Sequence, residues 1–309
     1  MNLFGSKQRQ NEAIGIEFCA EGVAFAHIQR PATQQPKLVH CEYLPVSADE
    51  NAADILRTRL VKLGLQRVPC HVALSPPNYT LLLVEAPKVP AEELADALRW
   101  RIKDLIHFPV ADAVIDAFYL PEDSARGGNR MAYAVVAQRD VIANLVTQVK
   151  AAQLNLNVID VAELALRNLA ETCCDTKRGV GLVRLMQGGG SLQIIRGGNL
   201  YLSRQFALSY NGGLLDDLPG DALVLELQRS LDYFERQLRQ PPPSHLYLCG
   251  ENVSADKITP EIRASLMVNM ELLSLEAGLQ IAEQVQPHTL SLCLLALGAA
   301  LRQDAVGSV

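Results

Sequence analysis

The sequence is poor in the residues on which most site chemistry is built. It has one tryptophan and 5% aromatic residues, and its six histidines are scattered. The seven cysteines, Cys19, Cys41, Cys70, Cys173, Cys174, Cys249 and Cys293, form no CxxC pair and no Cys/His metal spacing. A zinc site and a disulfide framework are therefore not expected, and cysteines inside apolar runs act as small hydrophobes in a reducing compartment. Cys173 and Cys174 are the one close pair, and sequence neighbours seldom bridge. The string GxxxxGK[ST] is absent, which excludes a P-loop motor, and no Ser-His-Asp set or pair of catalytic carboxylates can be assembled. Positive charge is also short. A net charge of -6 provides no basic field, so nucleic acid is not an expected partner. Long apolar runs are missing too: the most apolar stretch, 290–301, is about twelve residues against the roughly twenty of a membrane span, so no transmembrane segment is expected. The leading MNLFGSKQRQ lacks the apolar core of a signal peptide, and the expected location is cytoplasmic.

What is present is a large apolar content, 49% of 309 residues, enough for two domains. The stretch GVGLVRLMQGGGSLQIIRGGNLYLSRQF, 179–206, reads as three strands joined by two glycine turns, Gly188-Gly189-Gly190 and Gly197-Gly198-Asn199. The same grammar opens the chain, with a strand over 13–18, a turn Cys19-Ala20-Glu21-Gly22, and a returning strand over 23–29. Two such hairpins, one opening each half, predict a duplicated α/β architecture.

Between them, alternation predicts strands over 38–44, 71–74, 79–85, 115–120, 130–137 and 154–158. Apolar spacing predicts helices over 54–63, 90–107, 140–149 and 160–170, with Asp140 and Asp160 as N-caps. In the 90–107 helix Leu94, Leu98, Ile102, Leu105 and Ile106 form the apolar stripe. Gly127-Gly128 predicts a mobile loop over 122–129. In the second half, a helix is expected over 221–239, a strand over 246–249, and a last helix over 290–301 in which Gly298, Ala299 and Ala300 permit close backbone approach. The polar 173–178 is the expected domain boundary.

In order along the chain, GIEFCAEGVAFAHI, VPAEELADALRWRIKDLIHFPVADAVIDAFYL, AYAVVAQRDVI, VIDVAELALRNL, the glycine hairpin, LELQRSLDYF, LYLCGEN and LALGAALR resemble the PilM family of type IV pilus assembly proteins. Within that family the strings are most similar to its MshI branch, from the mannose-sensitive haemagglutinin (MSHA) pilus. The resemblance implies an actin-like (ribonuclease H-like) two-domain α/β fold: a first domain over 1–178 with an inserted subdomain at about 38–137, and a second over 179–309. It also implies a scaffold peripheral to the inner membrane. Its partner would be the N-terminal cytoplasmic tail of a single-pass membrane protein of the PilN or MshJ kind, held beside the inserted subdomain, with other pilus platform components as further partners. Such docking needs no chemistry from the host.

An actin-like ATPase offers carboxylates for a magnesium ion at two glycine turns. Here Glu17 stands at the first acidic position, followed by Cys19, Ala20, Glu21 and Gly22 rather than hydroxyl groups. Arg184 stands at the second, and a guanidinium neither binds a cation nor accepts a proton. Met186 replaces the following glycine, and the adenosine-side Gly-Gly reads Gly250-Glu251. Glu17, Gly22, Arg184, Gly188, Gly189 and Gly250 are thus expected to be degenerate nucleotide-site positions, with no catalytic residue, no metal site and no cofactor. Gly188, Gly189 and Gly190 read most simply as hairpin residues. Trp100, Arg101 and Phe108 are the candidate partner contacts, set against the plainer role of a lone tryptophan at a core rim. Two alternatives stand beside the scaffold: an ATP-dependent enzyme or switch using Glu17 as metal ligand, and a module of a type II secretion platform.

Overall fold

The computed structural model describes residues 11–124, 129–213 and 215–303. The first half opens with β1 (Glu12–Cys19), β2 (Gly22–Gln29) and β3 (Lys37–Pro45), an antiparallel meander, followed by β4 (Pro69–Leu74). Next come β5 (Thr80–Glu85), β6 (Ala113–Tyr119), β7 (Met131–Gln138) and β8 (Asn155–Val161). The second half holds β9 (Val180–Met186), β10 (Gly189–Arg196), β11 (Asn199–Ala207), β12 (His245–Gly250), β13 (Asn269–Leu272) and β14 (Gln280–Ile281). They form a six-stranded sheet, β14-β3-β2-β1-β4-β8, a five-stranded sheet, β11-β10-β9-β12-β13, and a three-stranded sheet, β5-β7-β6.

The apolar run in β1 follows from its central place with both faces covered. Ile14 and Ile16 share one core with Leu56 and Leu60 of the helix Ala52–Lys62. Gly15 points the other way, onto the helix Leu294–Ala300, where an added Cβ would stand 1.7 Å from the Ala296 carbonyl oxygen. Gly298 is equally constrained, since its Cβ would meet the Ala165 oxygen at 2.1 Å. The close approach expected of the last helix is therefore real. In the second sheet Leu192 and Ile194 face a core shared with Leu227 and Phe234 of the helix Gly220–Leu238. Arg239, at φ 52°, ends that helix in the left-handed region.

The paired glycine hairpins are present, with tighter turns than expected. Met186 pairs with Gly189 and Arg196 with Asn199, so Gly189, Gly190 and Asn199 are strand residues and the turns are Gln187-Gly188 and Gly197-Gly198. Gly197 and Gly198, at φ 53° and 74°, supply the left-handed pair that suits a two-residue hairpin.

Several boundaries differ from expectation. β3 and β4 belong to the six-stranded sheet, so the separate three-stranded sheet begins at Thr80, not at residue 38. β14 pairs with β3, and the helix Leu294–Ala300 packs against β1, β2 and β4, so 280–301 return to the first-half sheet rather than completing a 179–309 unit. The expected 90–107 helix is shorter, Leu94–Ile102, after a 3-10 turn at Ala91–Glu93. Leu94, Leu98 and Ile102 form one buried row, and Leu105, off that row, is 51% exposed. Gln138 and Val161 hold the cap positions expected of Asp140 and Asp160. Asp140 sits in the first turn, where its charge favours the positive helix end. Asp160 accepts from Val161 N and from Arg302 Nη1, the latter at 2.9 Å. The last helix breaks at Cys293 into Pro287–Leu292 and Leu294–Ala300. Gly127-Gly128 and the leading ten residues lie outside the described residues.

Candidate functional site

β1 ends at the first glycine turn and β9 at the second, and the charge of Arg184 in β9 is felt at Glu17 in β1. Glu17, near the end of β1, is buried, and its Oε1 accepts from Ser75 Oγ at 2.9 Å. Burial raises its carboxyl above the ordinary 4.5, while the Arg184 guanidinium and the Ser75 hydrogen bond pull it down and Glu251 pushes it up. The two positions expected to correspond, Glu17 and Arg184, therefore share one electrostatic neighbourhood with Glu251. Burial, reinforced by the Glu17 charge, pushes the Cys19 thiol up to about 12, so Cys19 is a neutral thiol at physiological pH. Among the described residues, no group of three His, Cys, Asp or Glu side chains is gathered as for a metal ion.

Packing accounts for the glycines. A Cβ at Gly22 would stand 2.6 Å from the Leu44 oxygen, one at Gly189 2.5 Å from the Phe206 oxygen, and one at Gly250 2.0 Å from the Leu185 oxygen. Gly188 faces open space and is required by its φ of 80°. Its N–H donates to the Tyr210 carbonyl and its own carbonyl accepts from Leu208 N, so the turn is committed to the protein.

A cavity of about 390 Å³ lies behind this turn, between the helix Ala162–Cys173 and the face of the second sheet opposite its main core. Register sets its wall: Arg184 pairs with Ser191 and Ser191 with Gln205, while Gln193 pairs with Ser203 in the next row. Opposite stands Glu163, 2% exposed, whose Oε2 accepts from the Tyr79 hydroxyl. The Ser203 and Gln205 side chains also hydrogen-bond to Glu163, and Tyr79 Oη accepts from Ala162 N at 3.2 Å. Burial raises the Glu163 carboxyl despite these bonds. Gln193 is 1% exposed and its Oε1 has no partner.

A second cavity, about 460 Å³, opens beside the first glycine turn. Phe18 and Ala20, the Leu74–Asn78 connection and Val141, Asn144, Leu145 and Gln148 of the helix Arg139–Ala151 line it. These segments lead into and out of the three-stranded sheet. Its walls are apolar at Phe18, Leu74, Pro77 and Leu145, with amides at Asn78, Asn144 and Gln148.

Of the expected partner contacts, Trp100 is 70% exposed, Arg101 Nη1 donates to the Glu85 carbonyl at 3.1 Å, and Phe108 packs against the core of the three-stranded sheet. None of the three lines either cavity. Sequence reasoning missed Glu163, Tyr79 and Gln193. The signal was present for two of them: a carboxylate in the otherwise apolar first turn of AELAL, and a lone amide inside the strand SLQII.

No family model and no curated protein matches the chain. Among solved structures, it is similar to a chain of a PilM–PilN type IV pilus biogenesis complex, with 21% identity and a TM-score of 0.70 over 94% of this chain and 97% of that one. It is also similar to the cytoplasmic domain of EpsL, an inner-membrane component of the type II secretion system of Vibrio cholerae, with 14% identity and a TM-score of 0.52 over 95% and 96%. A Bacteroides thetaiotaomicron protein with an actin-like ATPase fold gives 10% identity and a TM-score of 0.50 over 95% and 98%. With its paired glycine hairpins, mixed sheets and returning helix, the chain has the actin-like α/β fold.

Proposed function

We propose that this protein is a non-catalytic, PilM-like scaffold of a type IV pilus assembly platform, holding the N-terminal cytoplasmic tail of a PilN-like inner-membrane protein. Its work as a scaffold would then be done at the cytoplasmic face of the inner membrane. The observation that carries this is the end-to-end likeness to a chain of the PilM–PilN complex, 97% of which is covered. The 460 Å³ cavity beside the three-stranded sheet is the docking groove in this proposal. An extended peptide needs apolar recesses for alternate side chains and polar groups for its backbone, and Asn78, Asn144 and Gln148 offer amides along an apolar channel. The finer assignment, an MSHA-type platform with an MshJ-like partner, rests on the MshI-like strings of the sequence. Glu17, Gly22, Arg184, Gly188, Gly189 and Gly250 are, in the same proposal, remnants of a nucleotide site: Arg184 repels a divalent ion, and packing or backbone conformation accounts for each glycine.

Calorimetry with synthetic PilN- and MshJ-type tails tests the proposal. One tail binds at one per chain, and Asn144→Trp, an exposed substitution in the groove, abolishes the heat without changing the far-ultraviolet circular dichroism. Absence of heat with every tail, together with ATP turnover lost in Glu17→Gln, overturns it.

A further inference from the structure

The polar wall of the 390 Å³ cavity is not explained by tail binding, which is placed in the other cavity, with which it shares no lining residue. A buried face of a central sheet is normally apolar, because each unpaired polar group there costs about 1–3 kcal/mol. Here Arg184, Ser191 and Gln205 form one cross-strand row, with Gln193 in the next. Glu163 engages Tyr79 and the side chains of Ser203 and Gln205. Two groups are left over. Gln193 Oε1 is buried without a donor, and the Arg184 guanidinium, whose charge is felt by Glu17, makes no side-chain hydrogen bond among the described residues.

We propose that this cavity binds a small hydroxylated organic anion without a metal ion, its anionic group on Arg184 and a hydroxyl donating to Gln193 Oε1. The guanidinium specifies the charge of the ligand, and its five donors suit a carboxylate or phosphate. It also opposes a divalent cation, so the anion enters free of metal. Glu17 faces Arg184 electrostatically without lining the cavity, and Glu163, the one acid in the wall, is pushed by burial toward its neutral form. The unpaired amide oxygen specifies a donor, which a hydroxyl supplies. A hydroxycarboxylate and a sugar phosphate both fit this chemistry.

The test uses the full chain in EDTA, titrated separately with citrate and with glucose 6-phosphate, followed by calorimetry and thermal unfolding. Saturable binding of one or both is expected, and which ligand binds tells a carboxylate source from a phosphate source. Arg184→Gln abolishes it and Gln193→Leu weakens it by roughly tenfold. Arg184→Lys, which keeps the charge, retains weaker binding and separates lost recognition from lost folding. Tail binding is unchanged in all three variants, so failure here leaves the scaffold proposal standing. No saturable binding of either ligand overturns the inference, as does binding unchanged in Arg184→Gln or seen only when magnesium replaces EDTA.

Discussion

A carboxylate in a protein interior forgoes hydration that a few hydrogen bonds only partly replace, and Glu17 shows the balance. Burial outweighs the help of Arg184 and Ser75, so the folded-state pKa lies above the ordinary 4.5. The sign follows: a raised acid contributes stability that is fully present below the unfolded value and is lost as pH rises through the folded one. Glu17→Gln keeps an acceptor for Ser75 and removes that loss. Urea unfolding should show the variant gaining stability over the wild type at pH 8 and matching it near pH 4; an equal difference at both pH values would refute this account. Tyr79 tests the neighbouring network, because its oxygen both donates to Glu163 and accepts from Ala162 N. Tyr79→Phe leaves the Ala162 N–H unpaired in the interior and takes one of several donors from Glu163, and should cost about 1–3 kcal/mol in the same assay. Glu17 and Arg184 were legible in the sequence because each lies near the end of a recognisable strand that leads into a glycine turn. The Glu163 network was not, since Tyr79 and Glu163 are separated by the whole three-stranded sheet.

At the scale of elements, alternation and glycine spacing revealed almost every strand, and errors fell where packing decides. The expected 90–107 helix stops at Ile102 because its buried row of every fourth residue stops there. The hairpin glycines were legible as turn residues only in part: Gly189 and Gly190 sit in β10 because Phe206 of β11 passes so close. The same reasoning ranks substitutions. Gly15→Ala and Gly298→Ala place a methyl group on a neighbouring carbonyl oxygen and should each cost about 1–3 kcal/mol or more by overpacking. Gly64→Ala, at φ 69° with nothing within 4 Å, bears backbone strain alone and should cost less. Thermal unfolding of the three variants side by side checks the order.

The whole molecule is tied by contacts between distant segments. Asp123, at the end of the three-stranded sheet's connection, accepts from Arg196 and, at 2.9 Å, from Tyr201 Oη. Its carbonyl accepts from Gln240 Nε2, and Tyr133 Oη accepts from Ser203 N. The three-stranded sheet is thereby strapped to β11. Asp123→Ala should speed amide exchange in β11 while moving the melting temperature little, since the Asp123 side chain is half exposed. Exchange in β11 equal to that of the wild type would show that the strap bears no strain. These long-range ties, and the return of 280–301 to the first sheet, were beyond the sequence, which displays spacing along a chain and not which sheet edge a late segment meets. That return orders events during synthesis. While the ribosome is still making the second half, β1, β2 and β4 have one face bare, because the helix that covers it follows the second-half strands in the chain. A nascent chain arrested before Leu290 should therefore stay protease-sensitive across β1 to β4, and gain resistance only when residues 294–300 leave the exit tunnel.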